Sequence, residues 1–130
     1  MTHAYLDSSA FVKLVSLESE SAALRADLAP WPQLVSATLL AAEVLRAAVR
    51  VGPNAVGDAR ALLDGVELIG VDQSLFEACA FIPPPDLRTL DAIHLAAALS
   101  IRSELGAFFV YDQRLADAAR RHGLPVRSPR

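Results

Sequence analysis

The sequence predicts an α/β fold in which helices cover both faces of a mostly parallel sheet of four or five strands. Short apolar runs rich in β-forming residues alternate with longer stretches of helical period, and this alternation is typical of parallel sheets. With 130 residues, 53% hydrophobic and 21% charged, the chain has the size of one domain. Because no repeat or linker divides it, we expect residues 1–130 to form a single domain.

Four apolar runs are predicted to be strands, because each is short, rich in β-forming residues and followed by a turn or a helix signal. A short fifth strand at the edge of the sheet is expected around Val126, after the turn that begins at Gly123. The four strands are Ala4–Leu6, Leu34–Ala37, Val66–Val71 and Ala107–Tyr111.

The stretches between these strands have helical period. Ser8 or Ser9 is available to cap the first helix, Gly52 followed by Pro53 ends the third, and Thr89 is expected to cap the sixth. The predicted helices are Ser8–Val15, Ser19–Leu28, Thr38–Val51, Ala55–Leu63, Gln73–Phe81, Thr89–Ile101 and Gln113–His122.

The composition excludes several classes of protein. No stretch approaches the roughly 18 apolar residues of a membrane span, and the N-terminus lacks the features of a secretory signal. Cys79 is the single cysteine, so no intrachain disulfide and no cysteine-rich zinc site can form. We therefore expect a cytoplasmic protein without membrane contact, and Cys79 is expected to pack in the core.

The net charge of −3 and pI of about 5.5 argue against binding of nucleic acid through broad positive charge. Two interpretations of the basic residues near the C-terminus remain open, a local patch that contacts phosphate or ordinary surface charges. Five of the 12 basic residues fall in the last 17 positions: Arg114, Arg120, Arg121, Arg127 and Arg130.

Four acidic residues stand out by their positions. Asp7 and Asp112 each follow a predicted strand directly, Asp91 lies in the first turn of a helix, and Glu43 lies in the middle of an apolar helix. Since ligands of parallel sheets gather beyond the carboxyl ends of the strands, all four carboxylates are expected to meet at one edge.

Each acid also has an ordinary explanation. Asp7 and Asp112 could cap helices, and Asp91 could complement the dipole of its own helix. Glu43 could pair with Arg46 and Arg50 on one solvated face. The joint placement at one edge favours a functional site over four separate structural roles.

Clustered carboxylates require a counter-charge. Two of them about 4 Å apart repel by roughly 4 kcal/mol at an effective dielectric constant near 20, so a cluster takes up protons or binds a cation. An all-oxygen site favours Mg²⁺ or Mn²⁺. Such ions bind phosphate oxygens and lower the pKa of a coordinated water, which predicts hydrolysis of phosphodiester bonds.

Four segments, in the same order along the chain, resemble PIN domains and specifically the VapC toxins of VapBC toxin–antitoxin pairs. The run LRTLDAIHLA is the most characteristic of them. The segments are Tyr5–Ala10, Ser36 with Leu39–Leu45 around Glu43, Leu87–Ala96, and Val110–Leu115 with Gly123-Leu124. The resemblance covers nearly the whole chain and implies a PIN-like three-layer α/β/α fold.

This resemblance implies a metal-dependent endoribonuclease that acts as the toxin of a type II toxin–antitoxin pair. It also implies a homodimer, for which the apolar helices within Ser8–Leu28 offer an interface, and a VapB-type antitoxin that blocks the site. Contact with DNA would be indirect, through the antitoxin. The catalytic and metal-binding acids would be Asp7, Glu43, Asp91 and Asp112.

Several further residues have more than one interpretation. Ser8, Arg88 and Arg114 are candidates for contact with the substrate, although Ser8 could cap a helix and Arg88 could pair with Asp86. His94 could act as a general base, but a buried, hydrogen-bonded packing role is favoured. Asp117 is interpreted as a surface charge or an auxiliary ligand.

Position 110 supports an alternative function. Many relatives carry Thr or Ser shortly before the last acid, whereas this chain has Val110, so a hydroxyl contact at the site would be missing. The alternative is a catalytically weak PIN-fold module that binds protein. A phosphoacceptor receiver domain or an Asp-x-Asp phosphatase is less favoured, because Asp7 has no paired acid and the sole lysine, Lys13, lies in a helix.

Overall fold

Strands and helices alternate along the chain in the predicted order. A computed structural model describes all 130 residues. The strands are β1 (His3–Leu6), β2 (Gln33–Ala37), β3 (Glu67–Ile69), β4 (Leu105–Phe109) and β5 (Val126–Arg127). The helices are α1 (Ser8–Val15), α2 (Ser21–Leu28), α3 (Leu39–Val51), α4 (Pro53–Leu63), α5 (Gln73–Ala80), α6 (Thr89–Ser100) and α7 (Gln113–Arg121).

The five strands form one sheet in the order β3-β2-β1-β4-β5, and every neighbouring pair is parallel. The predicted α/β class is therefore confirmed, with five strands and an entirely parallel sheet. β1 lies at the centre, where Tyr5 is paired with Val35 on one side and with Phe108 on the other. Because all strands run the same way, their carboxyl ends lie at one edge of the sheet.

Alternate residues of the central strands are buried on opposite faces of the sheet. Tyr5 and Phe108 belong to a core cluster that includes residues of α6 and α7. Leu6 and Phe109 belong to a second cluster, which includes residues of α1, α2, α3 and α4. Full burial of one such side chain contributes about 1.5 to 3 kcal/mol. Two helical layers therefore enclose the sheet, as the three-layer prediction requires.

Helix α6 is buried along most of its length. Eight of its 12 residues are buried, and the polar residues Asp91 and His94 are among them. Buried polar groups are costly unless they are hydrogen-bonded or paired. Each of these two side chains therefore needs partners inside the protein.

Two predictions about helix caps are wrong. Asp7, and not Ser8 or Ser9, caps α1, because its extended backbone lets the carboxylate accept a hydrogen bond from the amide of Ala10. Thr89 is the first residue of α6, and the cap position belongs to Arg88. The Arg88 side chain makes no capping bond, since it reaches toward carboxylates instead.

The structure contains no helix with the length and apolar character that a membrane crossing requires. Cys79 is buried in a small cluster with residues of α6, which confirms its predicted packing role.

Candidate active site

Three of the four acids predicted as a site are connected through hydrogen bonds near the carboxyl edge of the sheet. Asp7 follows β1, Asp112 precedes α7, Asp91 lies in the first turn of α6, and Glu43 lies on α3. Ser9 links Asp7 to the backbone of Asp112, and Arg88 links Asp112 to Asp91. The Glu43 side chain bonds Ser8 and His94 instead. The expected convergence of all four acids on one ion stays a prediction, because no three of these side chains lie close enough together to hold one.

Asp7 is the most deeply buried of the four, with 1% of its surface exposed. Its Oδ1 accepts hydrogen bonds from the Ser9 hydroxyl at 2.7 Å and from the amide of Ala10 at 3.1 Å. Burial raises the pKa of the Asp7 carboxyl to about 6, although a positive charge on His94 and these hydrogen bonds act in the opposite direction. No arginine or lysine pairs with Asp7, so its charge is poorly compensated.

Ser9 connects the first acid to the last one. Its hydroxyl donates to Asp7 and accepts hydrogen bonds from the amides of Tyr111, at 2.9 Å, and Asp112, at 3.1 Å. The sequence alone predicts no role for Ser9 beyond that of a helix cap. Its two contacts with backbone amides join residues more than 100 positions apart, so no local sequence pattern identifies them.

Arg88 connects two further acids. Its Nε donates to Asp91 Oδ2 at 3.1 Å, and its Nη2 donates to Asp112 Oδ2 at 3.2 Å. The hydrogen bond to Asp91 and the charges of both carboxylates raise the pKa of the guanidinium above its ordinary value. The suggested pairing of Arg88 with Asp86 is wrong, because the arginine turns to the site acids instead.

Asp112 has both of the roles considered for it. Its Oδ1 accepts a hydrogen bond from the amide of Leu115 at 3.0 Å and so caps α7, while its Oδ2 binds Arg88. Capping and membership of the acidic cluster use different oxygens. The structural explanation of Asp112 therefore does not exclude the functional one.

Glu43 points toward the site and not along the surface of its helix. Its Oε1 lies 2.7 Å from His94 Nε2, and its Oε2 accepts a hydrogen bond from the Ser8 hydroxyl at 3.1 Å. The alternative pairing with Arg46 and Arg50 is therefore wrong. Ser8 lies beside the acids as suggested, but it contacts Glu43 and does not cap α1.

The favoured interpretation of His94 is confirmed. The side chain is 1% exposed, and its Nδ1 lies 2.7 Å from the Tyr5 hydroxyl. Tyr5 is not among the site residues predicted from the sequence, since a tyrosine in an apolar strand carries no signal of a polar contact 89 positions away.

The C-terminal basic residues are largely paired with acids. Arg120 pairs with Asp117 at 3.1 Å, and the last two arginines pair with acids of α2 and its cap position. Asp117 is thus an exposed surface charge, as one of its two interpretations held. Arg114 and Arg121 line a cavity of about 190 Å³ between α7 and the loop that contains Pro84, Asp86 and Leu87. Most of the proposed phosphate-contacting patch is therefore neutralised.

Val110 is fully buried in the core cluster that also contains Phe108 and Leu115. Its side chain therefore packs against apolar neighbours. The hydroxyl that does lie between the acids belongs to Ser9, which bonds both Asp7 and the Asp112 amide.

The carboxylate cluster fits a divalent cation in its chemistry. No three of the acidic, histidine and cysteine side chains lie close enough together in this arrangement to hold one ion. However, the donors are all oxygens, as Mg²⁺ and Mn²⁺ prefer. Asp91 and Asp112 already share one cation, the Arg88 guanidinium, and Asp7 lacks one.

Comparisons with known proteins agree with this architecture. A family model described as "PIN domain" matches residues 4–121. Ribonuclease VapC46 of Mycobacterium tuberculosis (strain ATCC 25618 / H37Rv) is 43% identical over 129 residues, which make up 99% of each chain. Ribonuclease VapC47 of Mycobacterium tuberculosis (strain CDC 1551 / Oshkosh) is 38% identical over 130 residues, 96% of each chain.

The fold is also similar to a solved structure. The crystal structure of Mycobacterium tuberculosis VapC20, described as a Sarcin-Ricin loop cleaving toxin, superposes with a TM-score of 0.73 at 18% identity. The superposition covers 88% of this chain and 94% of the other. From the domain match, the full-length relatives and the shared fold together, we conclude that the chain belongs to the PIN-domain family and, within it, to the VapC ribonucleases.

Proposed function

We propose that this protein is a Mg²⁺- or Mn²⁺-dependent endoribonuclease and the toxin of a type II toxin–antitoxin pair. The observation that carries this proposal is the linked set of three carboxylates, in which Ser9 joins Asp7 to Asp112, Arg88 joins Asp112 to Asp91, and Asp7 is buried without an arginine or lysine partner. The names of its full-length relatives, each a VapC ribonuclease, support the choice of RNA as the substrate.

The four acids share one task in this proposal. Asp7, Glu43, Asp91 and Asp112 hold the metal ion. When bound, such an ion supplies positive charge against the phosphate and lowers the pKa of a coordinated water. Asp7 is fixed by its two bonds to the start of α1, and Asp112 by its capping bond to α7. The acids on which the site depends are therefore held by secondary structure and not by mobile loops.

Three further side chains are proposed to contact the RNA. Arg88 is exposed over 68% of its side chain, so its planar guanidinium can turn from the carboxylates to a phosphate, which it binds well. Arg114 lies in the cavity beside α7, and Ser8 lies next to Glu43. With a net charge of −3, the chain depends on such local contacts and on the metal to attract a polyanion.

Cleavage of structured RNA by the purified protein tests the proposal. We expect cleavage of transfer or ribosomal RNA with Mg²⁺ or Mn²⁺, loss in EDTA, and a loss of at least about 100-fold in Asp7→Asn or Asp91→Asn. Asp117→Asn is the matched control, because it removes an exposed carboxylate that bonds only Gln113 and Arg120. Cleavage that persists in EDTA, or in both site variants, would contradict the proposal.

One observation favours the second candidate, a PIN-fold module that binds protein. No three potential ligands come together in this arrangement, and Arg88 occupies two of the carboxylates. Isothermal titration calorimetry separates the two functions. Absence of Mg²⁺ and Mn²⁺ binding at millimolar concentration, together with a stable protein complex, would support this module and exclude the nuclease.

The proposed partners are a VapB-type antitoxin and a second copy of the chain. Any DNA contact is proposed to be made through the antitoxin, and the protein is proposed to act in the cytoplasm. Phe11 and Leu24, from the helices first considered for the dimer, are buried in the chain's own core, so they are not free for an interface. Light scattering of the purified chain tests the dimer. Induced expression with and without a neighbouring short reading frame, followed by mapping of RNA ends, tests the antitoxin.

A further inference from the structure

We propose that Tyr5 and His94 are positioning residues that hold Glu43 in the orientation the metal site needs. The hydroxyl, the imidazole and the carboxylate form one hydrogen-bonded chain from the sheet to the site. This inference rests on the proposed metal-dependent function, and it assigns no direct contact with substrate to either residue.

The three residues come from different elements. Tyr5 lies on β1, His94 on α6 and Glu43 on α3. The Tyr5 hydroxyl lies 2.7 Å from His94 Nδ1, and His94 Nε2 lies 2.7 Å from Glu43 Oε1. Both contacts are at good hydrogen-bonding distance. The chain therefore connects the centre of the sheet to the acid on the opposite helical layer.

Packing holds both rings in place. Tyr5 is fully buried, stacks on Phe108 with ring centroids 5.3 Å apart, and meets His94 edge to face at 5.8 Å. His94 is 1% exposed. A buried ring with packed neighbours cannot change its rotamer without moving them. The position of Nε2 is therefore set by the core and not by Glu43.

In the neutral form of the His94 ring, the partners determine which nitrogen carries the hydrogen. An ionised carboxylate only accepts hydrogen bonds, so the Nε2 that faces Glu43 must carry the hydrogen. Nδ1 then has a free lone pair, which accepts a hydrogen bond from the hydroxyl of Tyr5. By donating to Nδ1, Tyr5 stabilises the same tautomer that Glu43 requires, with the hydrogen on Nε2.

Glu43 needs such a partner because of its place on α3. Its flexible side chain has Arg46 at i+3 on the same helix, a spacing at which the two could pair toward solvent. His94 and Ser8 instead bond its two oxygens on the inner side. Fixing a ligand through the hydrogen of a neighbouring side chain is a general means of tuning metal affinity. Without His94, Glu43 would spend less time facing the ion.

Two isosteric variants test this role. The amide nitrogen of Gln can replace Nε2, whereas that of Asn reaches only the place of Nδ1. We expect His94→Gln to keep the Mn²⁺ affinity within about threefold of the wild type, and His94→Asn to weaken it about tenfold or more. Calorimetry with Mn²⁺ alone measures this without relying on activity. Equal affinities in the two variants, both folded by circular dichroism, would overturn the inference.

A second measurement does not depend on substitution of the histidine. The ¹⁵N chemical shifts of the wild-type ring should show a protonated Nε2 and a bare Nδ1, and Tyr5→Phe, which removes one oxygen, should shift the ring toward a mixture of tautomers. If the ring carries its hydrogen on Nδ1 alone in a wild type that still cleaves RNA, the inference is overturned and the proposed function is not. A wild type that neither binds Mn²⁺ nor cleaves RNA would overturn the proposed function as well, so the two failures are distinguishable.

Discussion

Arg88 Nη2 lies 3.2 Å from Asp112 Oδ2, although 24 positions separate the two residues in the chain. Through its Nε the same guanidinium also binds Asp91. The arginine therefore places a positive charge between two acids proposed to hold a metal ion. In the absence of metal it lowers their mutual repulsion, and in the presence of metal it competes for the same oxygens.

Replacement of Arg88 should tighten metal binding. Since Arg88→Gln removes a cation from the two carboxylates, we expect the Mn²⁺ dissociation constant to fall by about two- to tenfold. Cleavage should nevertheless decline, because the variant also lacks the proposed phosphate contact. Arg114→Gln is the matched control, as Arg114 makes no contact with the four acids. Calorimetry in which Arg88→Gln binds Mn²⁺ no better than Arg114→Gln would contradict the competition.

The buried carboxyl of Asp7 should make the metal-free protein less stable as the pH rises. Its folded-state pKa of about 6 lies above the ordinary 3.8, so the folded protein binds this proton more tightly than the unfolded chain does. Stability from this group is present below about pH 4 and is lost as the pH rises to about 6. Asp7→Asn cannot ionise and still caps α1. We expect it to be more stable than the wild type at pH 8 by about 1 to 3 kcal/mol.

Urea unfolding in EDTA at pH 4, 6 and 8 measures the effect of Asp7. The advantage of Asp7→Asn should appear between pH 4 and 6, and Asp7→Ala should show less of it because it loses the cap. An advantage of the same size at pH 4 and at pH 8 would mean that ionisation of Asp7 is not its cause.

Ser9 should matter more for stability than its neighbour Ser8. Ser9→Ala removes the acceptor of two backbone amides, those of Tyr111 and Asp112, together with the donor to Asp7. Leaving partly buried groups unpaired costs about 1 to 3 kcal/mol. Ser8→Ala removes a single bond to Glu43 and should change the free energy of unfolding by about 0.5 kcal/mol. Chemical denaturation of both variants gives the comparison, and equal losses would show that Ser9 does not anchor the loop before α7.

The sequence was sufficient to predict the order of the strands and helices and to identify the acids that follow strands. Asp7 and Asp112 each stand next to an apolar run, and a carboxylate at a strand end is a local signal that topology then converts into proximity. Helix ends were less predictable. Arg88 takes the cap position where Thr89 was expected, because its side chain has carboxylate partners that the local sequence does not indicate.

The links between the acids could not be predicted from the sequence. In the sequence, nothing distinguishes Tyr5 from the apolar residues of its strand. Its hydrogen bond to His94 forms only when α6 packs on the sheet. Glu43 illustrates the same limit. Helical spacing offers it Arg46, but the fold brings His94 and Ser8 to its two oxygens. Contacts between distant elements depend on packing that a periodic pattern does not specify.

Val110 provides a test of whether the site lacks a hydroxyl. Its side chain is fully buried in an apolar cluster with Phe108 and Leu115, so Val110→Thr would bury a hydroxyl in the core and not add one beside the acids. A buried hydroxyl without a good partner costs about 1 to 3 kcal/mol. We therefore expect Val110→Thr to unfold at lower urea concentration and to gain no ribonuclease activity. Val110→Ile, which adds a methylene and no polar group, is the control for changed volume. If Val110→Thr instead raised the cleavage rate at unchanged stability, the missing hydroxyl would explain a weak site, and the protein-binding alternative would gain its strongest support.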